Sequence, residues 1–205
     1  MLNHDGVLFD FDGVLVDSEP VHFTCWQEIL EPFGIRLDWD TYVRHGIGIS
    51  DRQMLTFLAH LKNPPADVEE LAAQYPRKKE LFRKRMLENT PVSDELRNLL
   101  GELHGRYRLA VVSSSNITEV EPVLVAGQIR DLFQTVVSGD QVPRLKPAPD
   151  PYWIAAERLD VSRPLVVEDS DAGVASGQAA GFEVLRVPEQ AQMIDLVRRR
   201  LGIPV

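Results

Sequence analysis

The stretch "VLFDFDGVLVDSE", residues 7–19, runs three apolar residues, Val7, Leu8 and Phe9, straight into Asp10 and sets a second carboxylate two positions on at Asp12. An ionised carboxylate taken from water without a partner costs several kcal/mol, so an acid closing a buried strand must be compensated. In an extended segment, side chains two apart point the same way, which puts Asp10 and Asp12 on one side and Phe11 on the other. Two such carboxylates repel. Relief comes from a hard divalent cation, for which oxygen donors select Mg²⁺, or from a shared proton that divides the pair into acid and base.

Working outward, short apolar runs recur: "GVLF" (6–9), "RLAVV" (108–112), "TVV" (135–137), "PLVV" (164–167) and "FEVLRV" (182–187). β-Branched runs of this length, bounded by turn residues, suit strands buried on both faces of a parallel sheet. Helical patterns lie between them. Leu96, Leu99, Leu100 and Leu103 have helical spacing within 91–105, Asp150-Pro151 predicts an N-cap and first-turn proline ahead of "YWIAAERL", and 171–180 reads as a helix with a capping acid, ending before Gly181. In 116–127, Pro122 either kinks a helix or marks its start.

Strand alternating with helix predicts an α/β fold, a doubly wound, Rossmann-like parallel sheet. Residues 18–88 break the alternation and read as helices alone, over 19–33, 51–61 and 68–88, joined by the loops "RHGIGIS" and "KNPPAD". The expected organisation is a core of 1–17 and 89–205 with an inserted α-helical cap over 18–88.

Composition narrows the function classes. A hydrophobic fraction of 44% and a charged fraction of 26% are those of an ordinary globular chain. The net charge of −9 disfavours nucleic acid, which needs a basic face. A single cysteine, Cys25, excludes an intrachain disulfide or a cysteine-rich metal site and fits a reducing compartment. Strand-like sequence by Val7 leaves no room for a leader, and no apolar run reaches the ~18 residues of a membrane span, so a cytoplasmic protein without membrane contact is expected.

Further polar residues follow the other runs directly: Ser113 after "LAVV", Glu168 and Asp169 after "PLVV". Ligands of open parallel sheets bind outside the carboxyl ends of the strands, which places Asp10, Asp12, Ser113, Glu168 and Asp169 along one rim. Lys146, in "RLKPAPDP", could bring a fixed positive charge there. Each residue has a structural alternative. Asp12-Gly13 is turn chemistry, Asp169 and Ser170 suit a helix cap, and "SSSN" suits a loop. Taken jointly, these alternatives leave the Glu168-Asp169 pair and the acid emerging at Asp10 unexplained.

"FDFDGVLVDSE", "VVSSSN", "LKPAPD" and "VVEDSDAGV" resemble, in order, the four motifs of the haloacid dehalogenase superfamily, in the branch whose helical cap follows the first motif and which includes sugar-phosphate phosphatases and β-phosphoglucomutase. The resemblance implies a phosphoric monoester hydrolase acting on a small phosphate ester. Asp10 would be the nucleophile that forms an aspartyl phosphate and Asp12 the general acid and base. Mg²⁺ would be held by Asp10, the Asp12 carbonyl and Asp169, with Glu168 as a ligand or behind one. Ser113, with neighbouring Ser114, and Lys146 would meet the phosphoryl oxygens. Asp12 also argues against carbon–halogen cleavage, since dehalogenase relatives lack a second aspartate.

Within the insertion, His22 and Trp26 lie four apart and share a helix face, the pattern His-x-x-x-Trp of mutase-like relatives, where the histidine faces the active site; a cap-core role is the alternative. "GIGISDRQ", beginning at Gly46, resembles the mutase substrate loop, but Asp51 stands between Ser50 and Arg52 where an arginine would follow directly. Gly46 and Arg52 are the substrate-binding candidates there. Some relatives form a Schiff base on a cap lysine; Lys62, Lys78, Lys79 and Lys84 are expected to be solvated instead. The basic run at 77–86 reads as a solvated face and 198–200 as the cationic end of the last helix. Three functions follow: a phosphatase, a phosphosugar mutase, or a non-catalytic phosphate-binding module.

Overall fold

The computed structural model describes residues 4–46 and 51–204. The chain divides into two compact units, residues 1–17 with 90–205 and residues 18–89. In the first, strands β1 (Gly6–Phe9), β2 (Arg108–Val112), β3 (Thr135–Val137), β4 (Pro164–Glu168) and β5 (Glu183–Arg186) form one parallel sheet in the order β3-β2-β1-β4-β5. Phe9 stands level with Val111 on one side and Val167 on the other, so three strands end together. From β1 the chain winds outward through β2 and β3, then returns to the far side of β1 as β4. That reversal opens a crevice between the carboxyl ends of β1 and β4.

Every residue of β1 and β4 is buried, which is why their sequences read as continuous apolar runs. Edge strand β5 is only half-buried and shorter than its apolar run.

The second unit is all helical: α1 (Glu19–Leu30), α2 (Trp39–His45), α3 (Asp51–Ala59), α4 (Val68–Ala72) and α5 (Tyr75–Glu88). It builds its own core from Trp26, Ile29, Leu30, Leu55, Leu58 and Leu71, among others. Two expectations change here. The helix α2 was not anticipated; Asp38 caps it, its carboxylate accepting the Thr41 N–H at 2.8 Å. The predicted helix over 68–88 is two helices, because Pro76 lies in the first turn of α5 and proline disfavours helical backbone just before it.

Helices α6 (Asp94–His104), α7 (Ile117–Ala126), α8 (Asp150–Leu159), α9 (Asp171–Ala179) and α10 (Met193–Leu201) complete the first unit. The α6 leucines are all buried, and the Ser93 hydroxyl accepts the Leu96 N–H. Pro122 sits inside α7, whose start is fixed upstream by reciprocal cap bonds between Asn116 and Glu119. Asp150 does not cap α8. Its carboxylate pairs with Arg144, and Pro149 takes the cap position. Likewise Ser170, not Asp171, caps α9, through the Gly173 N–H at 3.0 Å. Leu8, Ala110, Val112 and Val166 pack against Tyr152, Ala155 and Leu159 of α8. Among the described residues no helix is long and apolar enough to cross a membrane.

Leu8 is wholly buried at the centre of the sheet. Leu8→Ala is expected to lower unfolding stability by about 2–5 kcal/mol, read as a shifted urea midpoint.

Candidate functional site

The sheet ladder runs one residue beyond β1 and one beyond β2. Asp10 N–H donates to the Val167 carbonyl and Ser113 N–H to the Val137 carbonyl, each at 2.9 Å. These bonds pin both residues to the rim of the crevice. Glu168 closes β4 and Asp169 follows it, and oxygens of Asp10, Glu168 and Asp169 come within 4.8 Å of one another.

Lys146 reaches this cluster from the loop between β3 and α8. Its Nζ donates to Asp10 Oδ1 at 2.5 Å, to Glu168 Oε1 at 2.6 Å and to the Val112 carbonyl at 3.0 Å. All three protons of the ammonium are thereby used. Its side chain is 5% exposed and that of Glu168 is fully buried. Glu168 also accepts the Tyr152 hydroxyl at 2.8 Å on Oε1, and the Ser170 N–H and Oγ–H at 3.1 Å on Oε2.

Electrostatics follow from this crowding. Burial raises the Asp10 pKa well above the ordinary carboxylate range, against the pull of Lys146, and Glu168 and Asp12 push it further up. Burial and then Glu168 raise Asp169 to about 6. For Lys146, burial works against the charged form but is outweighed by Asp10 and Glu168, leaving the ammonium more basic than usual. Three gathered carboxylates against one ammonium leave an excess of negative charge on oxygen donors alone. That donor set fits a hard divalent cation.

Asp12 lies in the tight turn after β1, where Gly13 N–H donates to Val16 at 2.8 Å, and its carboxylate accepts the Ser115 hydroxyl at 3.2 Å. Gly13 has φ +76°, and a Cβ there would stand 2.1 Å from Asp169 Oδ2; a Cβ on Gly173 would stand 1.6 Å from Glu168 Oε1. These glycines make room for the two acids. Ser113 is buried, with Oγ accepting the Ser115 N–H at 3.0 Å, whereas Ser114 is exposed. The fold thus gathers Asp10, Asp12, Ser113, Lys146, Glu168 and Asp169.

His22 and Trp26 meet the same side chain, Lys78. Its Nζ is 2.6 Å from His22 Nδ1 and 5.2 Å from the centre of the Trp26 ring, while the His22 ring stacks on Phe82 at 3.9 Å. The expectation of a solvated Lys78 is therefore wrong. It is buried on α5, its aliphatic stem and charge sheltered by aromatic rings. Burial and then Lys78 depress the His22 pKa to about 3, so the ring is neutral and its Nδ1 accepts. Gly46 closes α2, its N–H donating to Tyr42 at 2.7 Å, and Arg52 is exposed on α3, lining a shallow 510 Å³ depression with Thr56, Phe57 and His60. Ser50 and the rest of the loop 47–50 lie outside the described residues. A larger open groove, about 1130 Å³, runs beside Phe23, Gln27, Arg36 and Trp39 and contains none of the residues singled out in the sequence.

Sequence reasoning missed Tyr152, Ser115, Gly13 and Gly173 as parts of the site. A signal existed for Tyr152, since a tyrosine on the buried face of a helix needs a partner for its hydroxyl.

The family model for haloacid dehalogenase-like hydrolases matches residues 7–187. The chain belongs to that family. Fructose-1-phosphate phosphatase YqaB of Escherichia coli is 30% identical over 187 residues, covering 89% of this chain and 95% of the relative. Beta-phosphoglucomutase of Bacillus subtilis is 29% identical over 203 residues, covering 95% and 88%. Among solved structures, CbbY from Rhodobacter sphaeroides in complex with phosphate superposes with a TM-score of 0.70 at 26% identity, covering 89% of this chain and 85% of that one. The five-stranded parallel sheet with flanking helices is the fold of this family's hydrolases.

Two outcomes follow from the geometry. Gly173→Ala drives a methyl into the Glu168 carboxylate and is expected to lower stability by about 1–3 kcal/mol, measured by thermal melting. The folded His22 takes its proton near pH 3 rather than 6.5, so between these values the unfolded chain binds more protons and stability falls as pH drops. Urea midpoints at pH 7 and 5 are expected to converge in His22→Gln relative to the wild type.

Proposed function

We propose that this protein, a phosphoric monoester hydrolase of the haloacid dehalogenase-like family, hydrolyses a small phosphorylated metabolite, a sugar phosphate or related phosphorylated acid, with Mg²⁺ and through an aspartyl phosphate. The observation that carries this reading is the convergence of Asp10, Glu168 and Asp169 with Lys146 at the carboxyl ends of β1 and β4. A phosphoryl group needs one in-line nucleophile and fixed positive charge around its equatorial oxygens.

In the proposed sequence, an Asp10 carboxylate oxygen attacks phosphorus and the ester P–O bond breaks. Asp12, entering as the neutral acid, gives its proton to the departing alkoxide. As a carboxylate it then takes a proton from water, whose oxygen attacks phosphorus and breaks the bond to Asp10, restoring both acids and releasing phosphate. Lys146, giving up one of its three present bonds, and Ser113 hold the non-bridging oxygens, and the Ser115 hydroxyl orients Asp12. Asp10, Asp169 and the Asp12 carbonyl would hold the Mg²⁺ ion, which supplies charge stabilisation at the phosphoryl oxygens. Glu168 is engaged by Lys146, Tyr152 and Ser170, which favours a supporting place for it beside the ligands. The helical unit would act as a cap, with His22, Gly46 and Arg52 as its substrate-binding candidates and Ser114 as that of the sheet unit, while the burial of Trp26 in the helical core favours the structural alternative for that residue. A cytoplasmic setting suits the buried thiol of Cys25.

A mutase is the second reading, favoured by the likeness to the Bacillus enzyme and weakened by the displaced Arg52, since a mutase must grip a second phosphate. A panel of phosphate esters that includes fructose 1-phosphate and phosphoglycolate, assayed with Mg²⁺, is expected to release phosphate. Asp10→Asn is expected to lower that release by at least about 10³-fold, and chelation with EDTA to abolish it. No release from any ester would leave a phosphate-binding module. Conversion of glucose 1-phosphate to glucose 6-phosphate with a bisphosphate primer, without net loss of phosphate, would establish the mutase instead.

A further inference from the structure

Tyr152 lies on the buried face of α8, fully excluded from solvent, and its hydroxyl donates to Glu168 Oε1 at 2.8 Å. The same oxygen accepts Lys146 Nζ at 2.6 Å, and that ammonium stands 5.1 Å from the centre of the Tyr152 ring. Glu168 Oε2 is held from the other side by the N–H and hydroxyl of Ser170, both at 3.1 Å. An ionised carboxylate offers about four lone-pair sites, and here each has a donor. Gly173 closes in behind, where even a methyl group would collide with Oε1.

Packing alone does not require the hydroxyl. The ring sits with Ala155, Ala156 and Leu159 against the sheet, and phenylalanine would fill the same volume. What the oxygen adds is a directed donor on a carboxylate that shares one ammonium with Asp10. Without it, Glu168 Oε1 would lean on Lys146 alone and draw the charge towards itself, away from Asp10.

Resting on the phosphatase reading above, we propose that Tyr152 is a positioning residue: through Glu168 it holds the Lys146 ammonium against Asp10, where the phosphoryl oxygens arrive. Glu168 is then the anchor of the lysine, and Gly173 the opening that admits it.

Crystal structures of the wild type and Tyr152→Phe without substrate test this directly. Lys146 Nζ is expected to leave its place beside Asp10 Oδ1 by more than about 0.5 Å, a displacement that loosens a reacting constellation. In phosphate release, Tyr152→Phe is expected to lower kcat about tenfold with KM changed by less than about twofold. On a Glu168→Gln background, the same substitution should lower kcat by less than about twofold, because the two side chains act through one another. An unmoved Nζ overturns the proposal, as does an unchanged kcat in an enzyme that turns over, or an equal loss on both backgrounds, which marks a packing role. A wild type that releases no phosphate defeats the phosphatase reading and leaves the crystallographic comparison to decide Tyr152. Should Tyr152→Phe fail to fold, Glu168→Gln takes its place in that comparison, with the same expected displacement.

Discussion

An ammonium buried between two carboxylates is the interaction on which the rest of this structure depends. Lys146 brings its charge to a rim where Asp10 and Glu168 are almost wholly buried, and it satisfies both together with the Val112 carbonyl. Taking these groups out of water is costly unless the geometry is good and every remaining donor and acceptor is matched. Here the matching is close to complete, with Tyr152 and Ser170 filling the remaining sites of Glu168. The arrangement stays short of positive charge, and that shortage is what a cation or an arriving phosphoryl group's own partners must answer.

The sheet exists, functionally, to make that meeting possible. Asp10 and Glu168 lie far apart in the chain but are level in space, because β1 and β4 pair with Phe9 opposite Val167. A register slip of one residue would turn either carboxylate to the opposite face. Burial on both faces fixes the register, so the apolar composition of the strands and the position of the acids are one constraint. Glycine has its place in the same logic. Gly13, with its positive φ, and Gly173 lie where any side chain would occupy space taken by Asp169 and Glu168.

The helical unit solves a related problem by different means. Lys78 is also buried, and its shelter includes Trp26 and Phe82 and a histidine held neutral by burial and by the lysine itself. Aromatic faces and a neutral imidazole nitrogen are weaker partners for an ammonium than carboxylates are.

The sequence by itself determined the strands, their parallel class and the polar residues of the rim. Apolar runs of strand length announced each β-strand, and polar residues directly after them, Asp10, Ser113, Glu168 and Asp169, were legible because a strand end is a fixed place in a parallel fold. Local signals were read less well. The helix α2 and the break before Pro76 escaped because short capped helices carry little periodicity, and of the two caps offered for α9, Ser170 rather than Asp171 proved the cap. Only the tertiary structure decided which donor meets which acceptor. The bond from Tyr152 to Glu168, the Ser115 hydroxyl on Asp12 and the burial of Lys78 join residues distant in sequence, or turned by a local loop, and no spacing rule encodes them. Periodicity fixes the face on which a side chain lies. The partner it finds there is set by how separate elements pack, and for buried charges that choice carries the chemistry.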